Sequence, residues 1–187
     1  MANIKLLVMD VDGTLTDGKI YMGEKGEIAK AFDVKDGCVI ALILPKHDII
    51  PVIITARKSK IVLNRCEELG IQELHQGSKN KLVTLLSVIK KYNVELDSVA
   101  YIGDDLPDIP CMEAVKNAGG LVMCPSNAIP EIRAISDFIS LKYQVMGQSE
   151  IVLSILLMVI MYLILKIELK ELSKLFLDLK RLAVMVE

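Results

Sequence analysis

Runs of like charge are missing from this 187-residue chain: 22 Lys and Arg stand against 24 Asp and Glu, for a formal net charge of -2. That excludes the basic stripe of a nucleic-acid surface and points to small molecules as partners. Cys38, Cys66, Cys111 and Cys124 form no Cys-x-x-Cys pair, so neither a zinc site nor a disulfide framework is signalled. The cysteines read as reduced thiols of a cytoplasmic protein. Met1-Ala2-Asn3-Ile4-Lys5 lacks the basic-then-apolar pattern of a secretory leader, and no targeting is expected. The apolar stretch 151–165 falls short of the ~20 residues a bilayer helix needs. Lys166, Glu168, Lys170 and Glu171 follow it at once, so it is expected to pack within the protein or at a subunit interface, not in a membrane. Internal repeats and low-complexity linkers are also missing.

What remains has the size of one domain. Short apolar runs at 4–9, 49–54, 99–102 and 121–123 are rich in branched residues and bounded by Asp, Gly or Pro, as buried strands are. Between them, 58–69 is amphipathic and ends at Gly70, and 80–92 places Leu82, Leu85, Leu86 and Ile89 on one face. Strands alternating with helices predict an α/β fold with a doubly wound parallel sheet. Residues 19–22 and 27–32 flank the turn residues 23–26, which predicts a small β-hairpin flap over about 17–33. The remaining residues of 12–55 and 55–81 are used up by one such hairpin or a single helix-strand unit, leaving no room for a cap domain. The domain is placed at 1–148, with an apolar helical extension at 149–187 that packs or forms an oligomer interface.

Four places carry groups suited to chemistry. Asp10 and Asp12 close the first strand, where open parallel sheets put their ligands. Two carboxylates so close call for a hard cation, and Mg2+ held by carboxylates and substrate phosphate answers that need. Gly13 allows a sharp turn whose free N–H groups can hold phosphoryl oxygens; Asp-Gly is equally the signature of a plain turn. Thr55, at the end of the second strand and followed by Ala56 and Arg57, can donate to a phosphoryl oxygen or simply cap the next helix. Lys81 stands at a helix start, where a cation opposes the helix dipole unless a phosphate or carboxylate lies near; it also reads as a solvated lysine. Gly103-Asp104-Asp105-Leu106-Pro107-Asp108 puts three carboxylates on one tight loop, which a metal explains and a solvated acidic loop also fits.

Taken in order, Asp-x-Asp, Thr, Lys and an acidic loop, these motifs over residues 4–139 resemble the haloacid dehalogenase superfamily of phosphatases. The resemblance implies a Rossmann-like fold and a magnesium-dependent phosphomonoester hydrolase. Asp10 would be the nucleophile that forms an aspartyl-phosphate, and Asp12 the acid and base. Thr55 and Lys81 would neutralise phosphoryl oxygens. Asp10, Asp104 and the backbone carbonyl of Asp12 would hold Mg2+, with Asp105 and Asp108 supporting them. Gly13, Thr14, Thr55, Ala56, Arg57 and Lys81 would surround the phosphate.

Within the superfamily the chain looks most like the capless 3-deoxy-D-manno-octulosonate 8-phosphate phosphatases. The segments that carry this are Asp12-Gly13-Thr14-Leu15-Thr16-Asp17-Gly18, Val34-Lys35-Asp36-Gly37, Thr55-Ala56-Arg57-Lys58-Ser59, His75-Gln76-Gly77 and Tyr101-Ile102-Gly103-Asp104-Asp105. The family has Gly where Ala56 stands. The resemblance implies a phosphorylated sugar or sugar acid as substrate and a homotetramer whose flap and neighbouring subunit close an uncapped site. Arg57 and Lys58 are placed to meet a substrate carboxylate, or are two solvated cations at a helix start. Alternatives are another sugar-phosphate or acylneuraminate 9-phosphate phosphatase, or a non-catalytic oligomerisation module related to partners of sugar nucleotidyltransferases. Response-regulator receivers use a similar residue set but place their acidic pair and acceptor Asp in a different order.

Overall fold

The computed structural model describes residues 4–140. The expected extension at 149–187 lies outside them, as does the end of the domain placed at 148.

Leu6–Met9 (β1) is buried at every position, as a central parallel strand covered on both faces must be. It pairs in parallel with Ile50–Thr55 (β4) on one side and Val99–Ile102 (β6) on the other. Glu73–Gln76 (β5) extends the first side, and Leu121–Cys124 (β7) and Phe138–Ile139 (β8) extend the second. The parallel sheet therefore has six strands in the order β5-β4-β1-β6-β7-β8. The chain moves outward one way from β1 and then the other, so the order reverses beside β1. In such sheets the crevice at the strands' carboxyl ends at this reversal is where ligands bind.

Helices cover both faces. Lys81–Tyr92 (α3), Ile109–Asn117 (α4) and Pro130–Ile135 (α5) seal one side over Leu6, Val8, Val52, Ile54 and Tyr101. Lys60–Leu69 (α2) and Val34–Cys38 (α1) carry the opposite side, where Ile40, Ile53, Val62 and Cys66 line one cavity. The helix starts are written locally. Ser59 accepts from the Ile61 amide at 3.2 Å at the start of α2, and Asn80 accepts from the Val83 amide at 3.2 Å at the start of α3. Helix α2 ends at Gly70, and α3 at Asn93, both left-handed.

The expected flap is present as Tyr21–Gly23 (β2) paired antiparallel with Gly26–Ala29 (β3), closed at its base by a bridge between Thr16 and Phe32. Among the described residues there is no cap domain and no helix long and apolar enough to cross a membrane. The α/β doubly wound fold stands as expected, with Thr55 the last residue of β4.

Candidate active site

The register of the central strands builds the site. Met9 pairs with Ile102, and the Asp10 amide donates to the Ile102 carbonyl at 3.0 Å, so Asp10 and the Gly103-Asp104 turn leave the sheet side by side. The loop after β1 is wound on Thr16, whose hydroxyl donates to the Val11 carbonyl at 3.2 Å and accepts from the amides of Gly13 and Gly18.

Asp10, Asp104 and Asp108 each offer a carboxylate oxygen within 4.8 Å of the others. Lys81, at the first turn of α3, puts Nζ 2.8 Å from Asp10 Oδ1 and 2.8 Å from Asp108 Oδ1. Its side chain is 3% exposed, which answers the choice left by the sequence: Lys81 is not a solvated lysine. Burial works against the ammonium, but Asp10 and Asp108 outweigh it and raise its pKa above the usual lysine value.

Asp108 is wholly buried, and both of its oxygens are engaged. Oδ1 accepts from Lys81 Nζ and, at 2.8 Å, from the Tyr101 hydroxyl; Oδ2 faces the amides of Asp104 and Asp105 at 3.4 and 3.5 Å. With its lone pairs used in this way, Asp108 is suited to fixing Lys81 and the loop. Asp104 is only half-buried, and its Oδ1 accepts from the Thr14 hydroxyl at 2.8 Å. Asp105 is exposed and turns away: its Oδ1 accepts from the Leu106 amide at 2.8 Å, capping the short turn 106–108.

The carboxylates feel this crowding. Burial, then the charge of Asp108, raise the Asp10 pKa to about 6 against the opposing pull of Lys81. Burial pushes Asp104 up to about 7; the Thr14 hydrogen bond opposes this, and Asp10 and Asp108 add to it. Hard oxygen donors that repel one another fit a small divalent cation, and magnesium suits this set.

The remaining expected residues gather around the same crevice. Thr55 is 3% exposed, its carbonyl accepts from the Ser78 amide at 3.0 Å, and its hydroxyl accepts from the Arg57 amide at 3.4 Å. Thr14 is fully buried against Asp104, so its side chain serves that carboxylate and only its main chain is left for phosphate. Ala56 is exposed at the mouth. Asp12 holds Lys30 Nζ in close contact at Oδ1 and faces Arg57 Nε across 3.7 Å at Oδ2.

Sequence reasoning missed Lys30 and Glu27. In the chain they are two charges in and just after the second strand of a short hairpin, indistinguishable there from solvated residues. Tyr101 carries no signal of its own beyond the Tyr101-Ile102-Gly103-Asp104-Asp105 motif, and its hydroxyl's tie to Asp108 has no mark in the pattern.

Comparisons with known proteins agree with this geometry. Residues 67–147 match the haloacid dehalogenase-like hydrolase family. The 3-deoxy-D-manno-octulosonate 8-phosphate phosphatase of Escherichia coli K12 is 46% identical over 138 residues, covering 74% of this chain and 71% of that protein. A crystal structure of the Moraxella catarrhalis enzyme in complex with magnesium, phosphate and the KDO molecule is 45% identical, with a TM-score of 0.68 over 74% of this chain and 77% of the other. A cobalt-bound form from Haemophilus influenzae is 32% identical, with a TM-score of 0.68 over 73% and 77% of the two chains. This chain belongs to the haloacid dehalogenase-like hydrolases, in the family of capless, magnesium-dependent 3-deoxy-D-manno-octulosonate 8-phosphate phosphatases.

Proposed function

We propose that this chain hydrolyses 3-deoxy-D-manno-octulosonate 8-phosphate, passing the phosphoryl group first to Asp10 and then to water. The observation that carries this reading is Lys81 Nζ standing 2.8 Å from Asp10 Oδ1 with the Asp104 carboxylate alongside. A buried carboxylate flanked by a fixed cation and a second acidic ligand is a nucleophile prepared for an anionic substrate.

Asp10 attacks phosphorus as the bond from phosphorus to the sugar oxygen breaks. Asp12 gives that oxygen a proton. A water then attacks the phosphoryl group on Asp10, and Asp12 takes the water's proton, so inorganic phosphate leaves and both carboxyls return to their starting state. Thr55 and Lys81 hold phosphoryl oxygens in both steps, with the main chain of Gly13, Thr14 and Ala56 and the side chain of Arg57 around them. Magnesium, which Asp10, Asp104 and the backbone carbonyl of Asp12 would hold, supplies positive charge against those oxygens. Asp108 keeps Lys81 in place.

The same reading makes the protein a cytoplasmic homotetramer. In its support, Met22 and Ile28 on the flap are 61% and 67% exposed, a surface suited to a neighbouring subunit, and all four cysteines are free. Light scattering should return four times the chain mass.

The deciding experiment is phosphate release, with magnesium, from a panel of phosphorylated sugars and sugar acids, each with the parent and Asp10→Asn. The parent is expected to prefer 3-deoxy-D-manno-octulosonate 8-phosphate, and Asp10→Asn to be inert. Equal rates for the two proteins would remove the aspartyl-phosphate. No preference among esters would remove the substrate and leave the reaction.

A further inference from the structure

Beside the Asp10, Asp104 and Asp108 carboxylates, Asp12 and Arg57 share their charges with two residues that the reaction as written does not use, Lys30 and Glu27. Lys30 follows directly on β3 of the flap, and its side chain is 0% exposed. Its Nζ closely contacts Asp12 Oδ1 and lies 2.9 Å from Glu27 Oε1. Arg57 repeats the pattern from the other side, 3.7 Å from Asp12 Oδ2 and 3.6 Å from Glu27 Oε1. Glu27 Oε2 accepts from the hydroxyl of Ser59, the cap of α2. A lysine gives up much rotamer freedom and solvation when buried, so it stays only where partners compensate it. Here those partners are one carboxylate of the flap and one of the catalytic loop.

With Asp12 ionised, the form in which it takes the proton of the attacking water, the four side chains sum to zero charge. Each oxygen of Asp12 faces its own cation, which fixes the plane of the carboxyl, while Glu27 takes a share of both cations. Asp12 is thereby held in orientation without facing two unbalanced positive charges.

We propose that Lys30 and Glu27 are positioning residues that aim Asp12 at the leaving-group oxygen, so that the flap itself sets the acid-base group. The inference rests on the reading of Asp12 as the proton donor, and it assigns the hairpin a role in the chemistry. Both residues act through Asp12 and neither is asked to touch substrate.

The test exploits leaving groups. An alkoxide leaving from a sugar acid needs a proton, whereas 4-nitrophenolate leaves from its phosphate ester without one. The ratio of kcat/KM for the sugar-acid phosphate to that for 4-nitrophenyl phosphate reports the first chemical step and cancels the fraction of active protein. Lys30→Met is expected to lower that ratio by about 10- to 100-fold, within the range for general acid catalysis. Glu27→Gln is expected to lower it several-fold, about the effect of one lost charge-assisted hydrogen bond, and Lys30→Arg to recover part of it. Asp12→Asn serves as the reference and should collapse the ratio. If it does so while Lys30→Met and Glu27→Gln leave the ratio at the parent value, the positioning role is overturned and the mechanism stands. If Asp12→Asn itself leaves the ratio unchanged, the proton-donor reading fails and the inference falls with it.

Discussion

A methyl group on Gly13 would stand 2.0 Å from Asp104 Oδ2, so the bare α-carbon of the loop after β1 is the surface on which the carboxylate after β6 rests. The backbone there is also left-handed, with φ at 98°, a conformation that L side chains rarely adopt. Two motifs far apart in the chain are thus fitted to each other at one atom, and the hydroxyl of Thr14, 90 residues from Asp104, locks the fit from the next residue.

Gly13→Ala should therefore do more than strain a turn. Backbone strain alone costs on the order of 1–3 kcal/mol. The added methyl also forces Asp104 away from Asp10, and a displacement of about 1 Å in such a site can cost about 100-fold in rate. The expected result is a folded protein with a lowered melting temperature, weakened magnesium dependence and at least that loss in kcat. Thermal melts with and without magnesium, beside phosphate release, check it.

Asp104 and Asp108 should separate cleanly by substitution. On the proposed reading of Asp104 as a magnesium ligand, Asp104→Asn should raise the magnesium concentration needed for half-activity by about 10-fold or more, with little loss of stability. Asp108→Ala strands the buried Lys81 ammonium and the Tyr101 hydroxyl. Breaking a buried pair in this way costs about 3–5 kcal/mol. The melting temperature is expected to fall far more for Asp108→Ala than for Asp104→Asn. Equal melting temperatures would place Asp108 among the ligands.

The pKa values of Asp10 and Asp104 fix the direction of a pH effect. Both carboxyls bind protons more tightly in the folded state, at about 6 and about 7, than at their ordinary value of 3.8. Stability from that source is greatest in acid and is lost as pH rises through the folded values, so metal-free protein should melt lower at about pH 8 than at about pH 5. Magnesium must displace those protons. Its apparent affinity should fall by roughly tenfold for each pH unit below the folded values per proton displaced, and its stabilising effect should be largest above about pH 7. A metal-induced rise in melting temperature that is the same at both pH values would contradict the shared cluster.

Much of this was legible in the chain because of how the sheet is covered. β1, β6 and β7 are buried on both faces, so they read as unbroken apolar runs, and the acidic residues directly after β1 and β6 mark the strands' carboxyl ends. The edge strand β5 is implied by the sequence only as part of a helix-strand unit within 55–81 and has no marked position there, because three of its four residues, Glu73, His75 and Gln76, are polar and form no apolar run. Helix α4 was hidden in the acidic loop's aftermath, where Pro110 looks like a breaker although at a helix start it is tolerated. Within the site, the order of Asp10, Thr55, Lys81 and Asp104 was readable. The division of labour among Asp104, Asp105 and Asp108 was not, because it depends on which way each side chain turns from one short loop.

Glu73 provides a final test of what holds Lys81. On β5, Glu73 is 4% exposed; its Oε1 is in close contact with Lys91 Nζ and accepts from the Tyr92 hydroxyl at 2.8 Å, and its Oε2 lies 3.1 Å from His75 Nε2. Burial disfavours the carboxylate, yet the bonds from Lys91, Tyr92 and His75 outweigh it and hold its pKa below the usual value. That contribution is therefore present at neutral pH and fades as acid takes pH below the ordinary glutamate value of 4.5 toward the folded one. Lys91 and Tyr92 are the last turn of α3, whose first residue is Lys81. Glu73→Gln should lower stability by about 1–3 kcal/mol, the cost of a weakened buried polar cluster. It should leave kcat within about twofold, because Lys81 is gripped at its own end by Asp10 and Asp108, and distant independent sites act separately. A drop in kcat as large as that of Asp108→Ala would instead make the whole helix, anchored at β5, the element that aims Lys81.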